Sequence, residues 1–148
     1  MKVKCIADTA TKEQRDKFFN GEEYRGPLCC NVGDIVIVYG LSMYPGIADK
    51  LCYELQYDNS SFVYPVPSCF FEIVDDRPSQ YWRMRQFSDS HYVLWPELFL
   101  EEGFLEKLND CDPDPGYVHS KRFFELVDLM EAEFNEPEEP KWYDEYWF

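Results

Sequence analysis

Short runs of alternating or continuous apolar residues, separated by turn signals, mark the first two thirds of this chain and apolar residues at helical spacing the last third, a pattern that predicts strands followed by helices. Lys2 to Ile6 set Val3 and Cys5 against Lys2 and Lys4, a short opening strand. Residues 8 to 31 are polar and charged, with a helical turn at TKEQRDKFF and breaks at Gly21 and Gly26-Pro27. VGDIVIVYG (32–40) leaves a Gly-Asp turn and runs through β-branched residues, as a buried strand does. After the loop LSMYPGIAD, KLCYELQYD (50–58) sets Leu51, Tyr53, Leu55 and Tyr57 against Lys50, Cys52, Glu54 and Gln56. The cluster Asp58-Asn59-Ser60-Ser61 signals a hairpin, and FVYPVPSCFFEIVDD (62–76) supplies a third strand, a Pro-x-Pro corner and a fourth strand over Phe70 to Val74. QYWRMRQF (80–87) alternates so that Trp82 and Met84 face inward and Arg83 and Arg85 outward, with a partner strand over His91 to Trp95. Pro96-Glu97 opens a helix to about Leu108. Val118, Phe123, Val127, Met130 and Phe134 then mark a last helix, ended by Pro137.

The expected architecture is a single α+β domain over 1–136: a strongly bent antiparallel sheet with a barrel-like core at about 32–95, and helices at about 96–108 and 115–134 packed on one side. An acidic-aromatic tail covers 137–148. At 148 residues one core is sustainable without disulfide staples. The six cysteines are scattered, mostly in apolar segments, and are expected as reduced thiols. The N-terminus carries no apolar run of signal-peptide length, and no stretch approaches the roughly 18 apolar residues of a membrane span. A cytoplasmic protein is the expectation.

Charge changes this picture. The formal net charge is -15, yet 18% of the residues are aromatic. Acidic chains poor in rings are typically disordered, whereas this one can bury a core and still present a negative surface. Such a surface suits a basic protein partner. It opposes nucleic acid and anionic membrane, because it offers no basic stripe to displace counterions from phosphates.

Two resemblances follow from particular segments. The order GDIVIV, long loop, strand, polar turn, YPVPSCFFEIV resembles the SH3-like small barrel over residues 32–76. MKVKCI, VGDIVIVYG, YPVP and FFEIVDDRPSQYWRM, in order across most of residues 1 to 130, resemble a group of small bacterial proteins encoded among polymorphic-toxin immunity genes. The resemblance implies an immunity-type role and carries no residue assignments with it.

Catalytic chemistry is barely signalled. No GxGxxG, P-loop, GxSxG or HExxH occurs. The loop DCDPDPG places Asp110, Asp112 and Asp114 like the opening of an EF-hand. Pro115 then stands where the loop needs glycine, and Lys121 where it needs a bidentate glutamate. Cys29-Cys30 with His91 or His119 lacks any neighbour that would lower a thiol pKa. No metal, cofactor or catalytic residue is therefore expected. Partner contacts are expected from Tyr44 and Asp58 on the barrel loops. The tail adds Glu136, Glu138, Glu139, Trp142, Tyr143, Asp144, Glu145, Tyr146 and Trp147, where rings are efficient anchors and carboxylates steer a cation. The leading expectation is a non-catalytic immunity protein that occludes a cognate toxin domain. The alternatives are an SH3-like peptide module with Tyr39, Tyr44 and Tyr64 in its groove, a nucleic-acid mimic that inhibits a defence enzyme, and an enzyme without a recognisable motif.

Overall fold

The computed structural model describes residues 1–110 and 118–135, and the fold is α+β with two antiparallel sheets. The chain opens with β1 (Lys2–Cys5) and α1 (Lys12–Phe18). Thr11 starts α1 with a reciprocal cap: its Oγ1 accepts from the Gln14 backbone N–H, and the Gln14 side chain accepts from the Thr11 N–H. Then come β2 (Ile35–Ile37), β3 (Gly40–Tyr44), β4 (Lys50–Gln56), β5 (Val63–Pro67), a 3₁₀ turn at Ser68–Phe70 and β6 (Phe71–Asp75). The hairpin β7 (Trp82–Ser88) and β8 (His91–Pro96) leads to α2 (Glu97–Leu100), α3 (Phe104–Asp110) and α4 (Val118–Asn135).

One sheet has the order β2-β1-β6 and the other β5-β4-β3-β8-β7. The expected single strand over 32–40 is divided between them. Val38 donates its N–H to the Met1 carbonyl while Tyr39 donates to the Glu54 carbonyl, so two successive residues pass the chain from one sheet to the other. Buried Trp82 fixes this bend by donating its indole N–H to the Tyr39 carbonyl at 2.9 Å. The expected loop at 41–49 is strand as far as Tyr44, because Gly40 to Tyr44 pair with β4 on one edge and, through Leu41 to Met43, with β8 on the other. No closed barrel forms among the described residues: β2 and β6 lie with β1, whereas β3 to β5 lie with β7 and β8.

Two apolar clusters hold the sheets. The first gathers Val3, Cys5, Tyr53, Leu55, Val66, Phe70, Phe71 and Trp82, drawn from both sheets. The second joins Tyr39 and Val63 to Phe99, Phe104, Leu108, Phe123, Leu126, Val127, Met130 and Phe134 of the helices. Each fully buried Leu, Phe or Met contributes on the order of 1.5–3 kcal/mol of transfer free energy. Because β4 lies inside the five-stranded sheet, Cys52, Tyr53, Glu54 and Leu55 are all buried. The expected division into one apolar and one polar row therefore fails at Glu54.

Two further expectations are corrected. Met84 does not face inward; it is 66% exposed, because β7 is the sheet's edge strand and the core reaches only its first residue, Trp82. The helix expected over 96–108 is two helices, separated at Glu101 to Gly103, where Gly103 takes φ +70°. Phe99 and Phe104, five residues apart, would point about 140° apart on one continuous helix. The break lets their rings stack at 6.4 Å within the second cluster. The hairpin at residues 58–61 forms as expected: Asp58 and Asn59 both adopt positive φ, and Ser60 donates its N–H back to the Tyr57 carbonyl, the pattern of a type I′ turn.

Candidate functional site: an acidic cleft on a strand edge

A concavity of about 630 Å³ opens where the two sheets diverge. Its walls are β2 with Asn31 and Asp34 before it, the tip of the β4–β5 hairpin (Gln56, Asp58, Asn59), and Glu131 and Asn135 of α4. Lys2 lies at the rim and donates to the Asn135 side-chain oxygen at 3.1 Å. Three carboxylates, those of Asp34, Asp58 and Glu131, therefore face one ammonium group that already has a hydrogen-bond partner. Asp34 is oriented from within its own loop, because its Oδ2 accepts from the Asn31 N–H at 2.9 Å.

Backbone groups add to this wall. Cys5 donates to the Asp34 carbonyl and Val38 to the Met1 carbonyl, and Val3 lies opposite Val36. In an antiparallel ladder this alternation turns the Asp34 C=O and the N–H and C=O of Val36 and Val38 toward β1 and those of Ile35 and Ile37 away from it. Among the described residues, no hydrogen bond reaches the outward groups of Ile35 or Ile37. Deeper in the cleft, burial together with the nearby Glu131 and Asp128 raises the pKa of Tyr39 above the ordinary tyrosine value, so its hydroxyl is neutral. Burial pushes the Cys29 and Cys30 thiols up to about 12. Burial therefore favours the neutral thiol at both positions, in keeping with the lack of any neighbour that would lower a thiol pKa.

Of the sequence-predicted contacts, Asp58 is in the cleft and Tyr44 is not. Tyr44 pairs with Lys50 at the start of β4, while Asp58 follows Gln56 at its end. At about 3.3 Å per residue that separation exceeds 20 Å. Tyr44 stacks on His91 with ring centroids 4.5 Å apart. With Tyr64 it lines a separate cavity of about 380 Å³ that also takes in Tyr24, Pro65 and Pro67. Tyr39 packs instead against Phe123, so the three tyrosines do not share a groove. Glu136, Glu138, Glu139, Trp142, Tyr143, Asp144, Glu145, Tyr146 and Trp147 lie outside the described residues, as does most of the Asp-Pro loop. The described chain ends at Asn135, on the cleft wall.

Sequence reasoning missed two features. The cleft edge is one: Asp34, Asp58 and Glu131 are separated by 24 and 73 residues, and nothing in their local context groups them. The other is a buried polar chain. Trp95 donates its indole N–H to Ser42 Oγ at 3.2 Å, and Ser42 donates to Glu54 Oε1 at 2.9 Å. Gly40 makes room for the indole, since a Cβ there would lie 2.7 Å from Trp95 Cδ1. Burial raises the Glu54 carboxyl from 4.5 to about 7, with the Ser42 hydrogen bond opposing. At 4% exposure Glu54 is closed into its own contacts, whereas the cleft acids stand open.

No protein-family model, curated protein or solved structure matches the chain. Among the described residues no group of three or more His, Cys, Asp or Glu is placed to hold a metal ion, and no helix is long and apolar enough to cross a membrane.

Proposed function

We propose that this protein is a non-catalytic acidic binding protein of the immunity type, which takes a basic protein partner, a cognate toxin domain, and occludes it. The observation that carries the reading is the cleft: Asp34, Asp58 and Glu131 gathered on a strand edge of a chain with net charge -15. A toxin that acts on nucleic acid must itself be basic to hold phosphates. An acidic inhibitor therefore meets it by steered encounter, and desolvated ring contacts slow its release. The tail 136–148 contributes five acids against one lysine to the net charge.

Residues 32–76 support an SH3-like reading in opened form. The pairing order runs β6-β1-β2 and continues, through the bend at Val38-Tyr39, as β3-β4-β5, with a 3₁₀ turn before the last strand. On this reading the β7–β8 hairpin and the helices are additions to a small bent sheet.

Stopped-flow association with the protein encoded beside this one in its genome tests the functional reading. The association rate is expected to fall steeply, by 10-fold or more, as ionic strength rises from about 0.01 to 0.5 M. A rate that stays flat across that range overturns it.

A further inference from the structure

Resting on the reading of the cleft as a site for a basic protein, we infer that the partner enters as an extended segment that adds a strand to the outer edge of β2. The outward N–H and C=O groups of Ile35 and Ile37 are the recognition elements. They sit two residues apart, about 7 Å along the strand, which is the spacing at which an added strand presents its own donors and acceptors. A helix satisfies its backbone internally and leaves all of these groups unmet.

The occupant's charge follows from the lining. Asp34, Asp58 and Glu131 flank the edge, with Lys2 held by Asn135. Side chains on an added strand alternate in direction, so Lys or Arg at every second position brings one cationic row against these carboxylates. Bare strand edges ordinarily invite a second copy of the same chain. Here two copies would each bring a charge of -15, and that repulsion selects a basic partner over self-pairing. The cleft volume, about 630 Å³, falls in the ordinary range for ligand sites.

The test uses the full ¹⁵N-labelled chain and three probes of identical charge. One is an acetylated, amidated hexapeptide alternating Arg and Thr; the other two are the same peptide N-methylated at the odd or at the even positions. The unmodified peptide is expected to shift the amide signals of Ile35, Val36 and Ile37. Methylation at one parity removes the donors that face β2 and is expected to weaken binding about 10-fold, whereas the other parity stays within about twofold. If both methylated peptides bind as tightly as the parent, with salt-sensitive affinity, strand addition is wrong and the basic-partner reading survives. If no peptide perturbs any cleft amide at low ionic strength, both fall. Cross-peaks from residues 136–148 to the Ile37 amide without peptide also overturn the inference, because the chain then occupies its own edge.

Discussion

Glu54 and Asp58 sit four residues apart on the same strand and its turn, and they are opposite kinds of carboxylate. Glu54 is buried inside the five-stranded sheet, accepts from Ser42, and is raised to about 7. Asp58 occupies an exposed left-handed turn position and looks into an open cleft. The difference teaches that residue type alone did not decide either role. β4 buries both its faces at Glu54 and has left the sheet by Asp58, so one acid becomes a dry structural group and the other a point of field. The charge of the first opposes folding, whereas that of the second is available to a partner.

The largest expected effect separates the two directly. Glu54 has a folded pKa above its ordinary value of 4.5, so its contribution to stability is full below about pH 4.5 and is lost as pH rises through about 7. A shift of that size corresponds to roughly 3 kcal/mol. Glu54→Gln keeps an acceptor for Ser42 without a charge, and it should therefore stabilise the protein by up to that amount at pH 8 and by almost nothing at pH 4.5. Urea denaturation at the two pH values checks it, and equal effects at both would show that Glu54 carries no burial penalty.

Gly40→Ala and Ser42→Ala probe the same enclosed chain with smaller effects. The first drives a methyl to within 2.7 Å of the Trp95 ring and should cost about 1–3 kcal/mol. The second leaves Trp95 Nε1 and Glu54 Oε1 without their shared hydroxyl and should cost a similar 1–3 kcal/mol. Ser42→Ala should also raise the Glu54 pKa, which is visible as a further displacement of the pH-stability curve.

Asp75 supplies the opposite sign. Its salt bridge and hydrogen bonds to Arg77, at 2.6–3.2 Å, hold the carboxyl down to about 2. Its contribution is present above about pH 4 and is lost as pH falls through about 2. Because Arg77 is about one-third exposed, solvent screening limits the benefit, and Asp75→Asn should cost no more than about 1 kcal/mol at pH 7. Acid titration followed by circular dichroism separates this limb from that of Glu54.

The smallest stability effect belongs to the cleft. The double variant Asp58→Asn, Glu131→Gln should stay within about 0.5 kcal/mol of the parent, while its association with a basic partner slows and becomes less sensitive to salt. An unfolding midpoint displaced as far as that of Glu54→Gln would erase the distinction between enclosed and open acids.

The sequence alone determined the alternation of Val3 and Cys5 in β1, the hairpin turn at Asp58-Asn59, the helical spacing of Phe123, Val127, Met130 and Phe134, and the net charge of -15. Each depends on neighbours within a few positions or on a sum over the chain. Tertiary structure decided where strand 32–40 bends, that both faces of β4 are covered, and that helix 96–108 breaks so that Phe99 and Phe104 can stack. It alone placed Trp95, Ser42 and Glu54 in one buried chain and Asp34, Asp58 and Glu131 around one cleft. The physical reason is that burial and field are set by what packs across a sheet or diverges from it, and those neighbours are dozens of residues away along the chain.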